Sequence, residues 1–365
     1  MRILAFLCFS LFILYPGIGD MYSLPKLVYL SLIVTGSLIG LWVRRGPSGA
    51  LPLAFPATIW LLISALSGLK AVSGYEYLRQ VGLDMLGIGI FWCTVNFTQR
   101  REVNSILRRT VRITAIFSIT SIFLYLLQSG WDAGGLMGNT EFAAMVVSVV
   151  LPVSFYVALS WWDLLSPCLL LLHLVLLRFN GAWLGLGGAV FIWLMIRSKR
   201  WVFGVFFLSV AVFIFSSFFL SSLSVQNRML WSLNSTAMIA EHPLLGIGRG
   251  NWALVYPRYA KTFGDNLIGT YQYYNHPAMV NAAHNDYIQI WAETGTLGIA
   301  AFTLLIGALL RSFQPDQRSG FLFIGIVTLL VEACVTFPFQ LPVSVAFFWL
   351  LAGLYWVSCS EKNNS

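Results

Sequence analysis

The chain has 365 residues, of which 58% are hydrophobic and 10% charged, with a mean hydropathy of +0.79. Soluble domains carry roughly 25% charged residues, so a water-soluble globule is excluded, and at about 30 residues per membrane span and connection the length allows about twelve spans and no large soluble domain. The net charge of +8 does not indicate nucleic acid here, because basic residues in a membrane chain first mark the loops that stay in the cytoplasm.

Apolar runs predict helices over 3–19, 24–43, 50–69, 77–97, 110–128, 140–160, 164–177, 181–196, 201–222, 286–310, 319–337 and 342–358. The expected fold class is therefore all-α: a polytopic bundle of about twelve transmembrane helices. Arg2 and the apolar stretch after it resemble a signal peptide, but no small-residue cleavage site follows, so the segment reads as an uncleaved first helix. Cys8, Cys93, Cys168, Cys334 and Cys359 form no CxxC pair, which gives neither a disulfide framework nor a zinc site.

With an even number of spans both termini share a side. That side holds fourteen of the 22 basic residues and four of the 14 acidic ones, a net of +10 against −2 on the other face. The basic face is expected to be cytoplasmic. The chain then divides into helices one to nine (1–222), an extracytoplasmic loop (223–285), and helices ten to twelve with a short cytoplasmic tail (286–365).

The outer loop stands apart, with 61 residues from Leu223 to Ala283 where the other connections have about 2–20. It contains Trp231, Trp252, Tyr256, Tyr259, Tyr271, Tyr273 and Tyr274, and Met229, Leu233, Ala237 and Ala240 recur at helical spacing over 226–241. An amphipathic interfacial helix followed by an aromatic cap is expected. Gly246, Gly248 and Gly250 surround Arg249. Such glycines form either a structural turn after the helix or a backbone cradle for an anion.

At the mouth of the tenth span, Asn285 or Asp286 can cap the helix, whereas His284 has two readings. It is a hydrogen-bonded anchor, or a base whose ordinary pKa near 6.5 suits proton transfer. His173 reads as a helix–helix hydrogen bond, and His242 and His276, each before a proline, as turn residues. Glu293, Glu332 and Arg178 fall in or beside apolar spans, where ionisable groups are expensive and become functional candidates. Arg178, Arg228, Arg249, Arg258 and Lys261 lie on the outer side against the charge bias. Guanidinium groups there fit a phosphate ligand, with attraction to anionic lipid headgroups as the rival explanation.

Taken together, His242-Pro-Leu-Leu-Gly-Ile-Gly-Arg-Gly-Asn-Trp252, Tyr256-Pro-Arg-Tyr259 and Ala283-His-Asn-Asp-Tyr-Ile-Gln-Ile-Trp-Ala-Glu-Thr-Gly295 resemble the O-antigen ligase and polymerase family of bacterial envelope glycosyltransferases. Fainter echoes occur at Gly138-Asn139, at Gly181–Gly185 and at Phe337-Pro-Phe-Gln-Leu-Pro342. The resemblance implies a GT-C-like bundle in the bacterial inner membrane, with a periplasmic active site that moves a glycan from an undecaprenyl-diphosphate donor to an acceptor. It implies neither cofactor nor metal, and partners limited to the lipid-linked donor, a glycolipid or glycan acceptor and membrane lipids, with no nucleic acid.

By the same resemblance His284 activates the acceptor hydroxyl and Arg228 holds the diphosphate, with inversion in one displacement. The family pattern Ser-Arg-Gly before the eighth span is replaced by Phe179-Asn180-Gly181. Arg178 or Arg249 is then expected to supply the second diphosphate contact, supported by Asn180, Asn285, Asp286, Glu293 and Arg258. Ligase, polymerase and protein-glycosylating branches share these motifs. The modest loop and the absence of a soluble segment after Tyr355 tilt the expectation toward a ligase acting on lipid A core. A transporter of an anionic substrate is the reading from another class, and it would place a polar site at the midplane rather than beneath the loop.

Overall fold

The computed structural model describes residues 6–15, 20, 22–45, 52–127, 130, 132–158, 163–197, 223–260, 280–312 and 317–359. The predicted span 201–222 and the loop residues Lys261, Tyr271, Tyr273, Tyr274 and His276 lie outside them. Among the described residues the regular structure is entirely helical.

The main helices are α1 (Ser23–Arg45), α2 (Ala54–Ser67), α3 (Gly74–Phe97), α4 (Val103–Leu126), α5 (Thr140–Val157), α6 (Leu165–Leu177), α7 (Asn180–Arg197), α8 (Leu223–Glu241), α9 (Asp286–Arg311), α10 (Gln317–Glu332) and α11 (Pro342–Cys359). Among the described residues six stretches are long and apolar enough to cross a membrane: Ser23–Val43, Gly74–Phe97, Arg100–Leu126, Thr140–Val157, Asp286–Arg311 and Pro342–Cys359. Shorter apolar helices occupy Ala54–Lys70, Leu165–Leu177 and Gly320–Glu332. The chain is a multi-pass membrane protein, and about twelve spans are compatible with this set.

Two predicted spans end early. The continuous helix expected over 3–19 stops at Phe12, and Ile13 is extended (φ −81°, ψ 123°). Pro16 lies just beyond and disfavours helix in the residue before it. The carbonyl freed at Ile13 accepts from Lys26 Nζ at 2.6 Å. The helix expected over 319–337 ends at Glu332, because 333–336 form a turn whose Ala333 carbonyl receives the Asp286 N–H at 2.8 Å.

The most enclosed helix is α11, packed chiefly against α3 and α10 and flanked by α1 and α5. Next to it α7 and α10 run antiparallel, with Trp193 against Gly320 at one end and Gly185 against Glu332 at the other. Any side chain at Gly185 would collide with Glu332, so the glycine sets how closely these helices approach. Some polar groups inside the bundle pair across helices. Ser148 donates to Glu332 at 2.6 Å, and His173 bridges Ser118 (2.9 Å) and the Ala133 carbonyl (2.8 Å).

Candidate functional site

The outer loop is fixed to the bundle through a break in α9. At Gly295 the backbone adopts φ 68°, ψ −172°, a conformation open to glycine. In an unbroken helix the N–H groups of Thr296 and Leu297 would reach the carbonyls of Ala292 and Glu293. Here the loop supplies both sets of partners. Ile247 and Gly248 donate to Ala292 and Glu293, each at 3.0 Å, while Thr296 and Leu297 donate to Pro243 (2.7 Å) and Leu244 (3.4 Å). Four backbone groups freed by the kink are thus satisfied, and Gly246, at φ 67°, lies directly against the Glu293 backbone.

Arg249 closes this junction. Its side chain is 0% exposed, and Nε and Nη2 grip the Asp84 carboxylate at 2.9 Å each while Nη1 donates to Glu293 at 2.6 Å. Burial alone would lower its pKa, but the charges of Asp84 and Glu293 outweigh burial and raise it. The guanidinium, which also lies 5.5 Å from the Trp60 ring, is committed to tying the loop to α2, α3 and α9. This corrects the expectation that Arg249 holds diphosphate, since a group fully enclosed by two carboxylates has no face left for an anion. Glu293 belongs to the same junction and also accepts from Gln289 at 3.0 Å. Asp84 escaped the sequence reading, although an acid in the middle of an apolar helix is the signal that flags such a partner.

A second cluster forms where α5, α8, α9 and the end of α10 meet. Asn285 caps α9, its Oδ1 accepting from Ile288 N–H at 3.1 Å. Asp286 is buried, and its carboxylate accepts from Phe339 N–H (2.7 Å) and Gln340 Nε2 (3.0 Å). It therefore locks the 337–340 turn beneath the helix start and is not free to act on a ligand. His284, just before this cap, has φ 52°, a left-handed conformation uncommon for a non-glycine residue. Its ring stacks on Trp231 (centroids 5.0 Å, 30°) and meets the edge of Phe337 (4.9 Å, 86°). Nδ1 is buried and has no hydrogen-bond partner among the described residues. Burial first, and the Arg228 charge second, push the His284 pKa down to about 3.

Arg228 sits one turn before Trp231 on the same face of α8. Its Nη1 donates to the Val335 carbonyl and its Nη2 to Glu141, both at 2.8 Å. Glu141 is held in the first turn of α5, where its N–H is capped by Asn139 Oδ1 at 2.7 Å. The segments 139–142, 228–231, 284–286 and 335–340, distant in sequence, therefore converge on one imidazole and one guanidinium. Glu141 was not singled out from the sequence, where an acid just after an Asn cap reads as ordinary helix capping.

Arg178, in a left-handed turn (φ 51°), Asn180 at the start of α7 and Arg258 are exposed and, among the described residues, lie outside the contacts of His284. The antiparallel packing of α7 on α10 does carry Asn180 past the level of Glu332, toward the turn whose Val335 carbonyl binds Arg228.

The inward face of α8 differs from the predicted stripe. Met229 is 55% exposed, while Asn227, Leu230, Asn234, Ser235 and Met238 are buried. Polar members of this face hold the cap: Asn234 donates to Tyr256 Oη (3.0 Å) and the Ala260 carbonyl (3.1 Å), and Ser235 accepts from Trp252 Nε1 (2.9 Å). Trp252 stacks on Tyr256 at 4.5 Å. Among the described residues no cluster of three or more His, Cys, Asp or Glu side chains is placed to hold a metal ion.

The family model for O-antigen ligase matches residues 165–303. This segment runs from α6 into α9 and contains Arg228, Trp231 and His284, so the stretch similar to O-antigen ligases carries both hubs of the cluster. Glu141, Val335 and Phe337 lie outside the matched range. No curated protein matches the chain.

Proposed function

We propose that the protein transfers a glycan from undecaprenyl diphosphate to a hydroxyl of an extracytoplasmic acceptor, by metal-independent inverting displacement. The observation that carries this reading is the placement of Arg228 beside His284 at the helix ends, beneath α8. Arg228 spends two of its five N–H donors on Val335 and Glu141. The others have no partner among the described residues and are available to phosphate oxygens, where charge developing on the leaving diphosphate is stabilised. His284 accepts the acceptor's hydroxyl proton as that oxygen bonds to the anomeric carbon and the bond from carbon to the diphosphate oxygen breaks. Because the Arg228 charge contributes to the low pKa of His284, a diphosphate seated on Arg228 offsets it and strengthens the base when the donor is bound. Arg178, in the turn between α6 and α7, is the candidate second diphosphate contact in place of the arginine expected at Asn180.

A polyprenyl donor also needs an apolar berth. A cavity of about 450 Å³ runs between α7, α9 and α10, lined by Trp193, Ile306, Phe323, Val327 and Val331 and ending at Tyr287 and Cys334. Tyr287 follows His284 by three residues, and Cys334 adjoins Val335, so one end of the cavity lies next to residues that adjoin the cluster. An apolar slot with its polar cluster at one end favours transfer from a lipid carrier over transport through a polar midplane site. The distribution of basic residues supports an inner-membrane protein with cytoplasmic termini and the site on the periplasmic face. Lipid A core is the proposed acceptor.

The test is incubation of the purified protein in nanodiscs with undecaprenyl-diphosphate glycan and separate acceptors, with products identified by mass. Transfer that depends on His284 and Arg228 is expected. Activity near wild type in both alanine variants would remove the mechanism.

A further inference from the structure

On the reading of α8 as an interfacial helix, Arg228 lies at the level of lipid headgroups, where anionic phosphodiesters are far more abundant than any diphosphate-linked donor, and a bare guanidinium there attracts them. In this structure it is not bare. The Glu141 carboxylate takes Nη2 at 2.8 Å, and both side chains are partly open, at 21% and 24% exposure for Arg228 and Glu141. The Asn139 cap fixes the backbone that carries this carboxylate, and the adjacent Phe142 packs edge-on against Phe337 at 5.9 Å, the same ring that meets His284. A tethered counter-ion of this kind sets a threshold, because any anion must displace it or bind against its charge.

We propose that Glu141 is a specificity-determining residue, an intramolecular counter-ion that keeps singly charged phosphodiester headgroups off Arg228 while a diphosphate, with more charge and more acceptor oxygens, still binds. This deepens the reading of Arg228 as the donor's diphosphate contact and rests on it. The threshold lowers affinity for every anion by a similar factor. Headgroups then fall below occupancy at their ambient concentration, while the tighter-binding diphosphate stays above it. Removing the carboxylate raises the affinity for both and lets the bilayer itself compete.

The experiment measures binding of inorganic diphosphate to the full chain in two kinds of nanodisc, one of phosphatidylcholine alone and one containing a third phosphatidylglycerol. Wild type, Glu141→Gln, Glu141→Ala and Arg228→Ala are compared, with thermal unfolding as the control for fold. Glu141→Gln keeps an oxygen for Arg228 and removes the charge; Glu141→Ala answers the same question should the glutamine variant fail to fold. In neutral discs both variants are expected to bind diphosphate at least tenfold more tightly than wild type. Phosphatidylglycerol is expected to weaken their binding at least tenfold and that of wild type less than threefold. Variants that bind as wild type or more weakly in neutral discs, or that ignore phosphatidylglycerol, would overturn the proposal and leave Arg228 as a diphosphate contact. If wild type and both Glu141 variants bind no more diphosphate than Arg228→Ala does, the reading of Arg228 itself fails, and the proposal with it.

Discussion

The imidazole of His284 lies stacked on the indole of Trp231, with ring centroids 5.0 Å apart and planes 30° from parallel. Since Trp231 follows Arg228 by one helical turn, a single face of α8 positions both the candidate base and the candidate diphosphate contact. Trp231→Ala removes the platform under His284 without touching Arg228. Misplacement of a reacting group by about 1 Å is worth roughly 10²-fold, so kcat is expected to fall about 10–100-fold with little change in donor KM. Trp231→Phe, which keeps a stacking ring, should recover most of the loss. Steady-state kinetics with lipid-linked glycan separates the two terms.

His284→Ala is expected to lower kcat by roughly 10²–10⁴-fold, the usual worth of general-base help. The pH profile carries a sharper expectation. A base held at about 3 in the empty site is neutral throughout pH 5–8, so kcat/KM for the donor should show no acid limb near the ordinary imidazole value of about 6.5. Once a diphosphate offsets Arg228, the pKa rises, and the acid limb of kcat should appear at higher pH than that of kcat/KM. Coincident limbs near 6.5 would contradict the electrostatic coupling.

The two loop arginines are expected to fail differently. Arg228→Ala should fold and lose turnover, because its partners are partly solvated. Arg249→Ala leaves Asp84 and Glu293 buried without a counter-ion, and breaking such a pair costs about 3–5 kcal/mol. Low yield and a lowered unfolding temperature in detergent are expected for Arg249→Ala, and neither for Arg228→Ala. Equal thermal stability of the two variants would refute the structural role of Arg249.

What could be read in advance follows from which signals are local. Hydropathy located the helices, and the outer helix over 226–241 emerged as Leu223–Glu241. Its inward face did not emerge, because Asn234 and Ser235 face inward as hydrogen-bond partners of Tyr256 and Trp252, and an apolar stripe search passes over polar residues used that way. Position alone narrowed the cap to Asn285 or Asp286, and Asn285 is the one that accepts from Ile288 N–H. The partnership of Arg249 with Asp84 spans 165 residues, and that of Arg228 with Glu141 spans 87, so neither leaves a local pattern. The three glycines around Arg249 carried two readings, a turn or an anion cradle. The kink at Gly295 accounts for the turn, since Gly246 and Gly248 belong to the segment that replaces the helix's own hydrogen bonds.

The apolar cavity gives a prediction that depends on donor length. Val327 and Val331 line it one turn apart on α10, and Val331→Trp would fill part of the slot without approaching Arg228 or Glu141. Each buried CH₂ contributes about 0.8 kcal/mol, so excluding two isoprenyl carbons is enough to weaken binding about tenfold. Donor KM is therefore expected to rise about tenfold or more for a full-length polyprenyl carrier. For a short-chain analogue whose tail does not reach Val331, KM and kcat should both stay near wild type. Because the two donors share the same diphosphate and glycan, a loss that appears with both would place the defect at the cluster instead of in the groove. A loss with neither would mean that the tail lies elsewhere on the bundle.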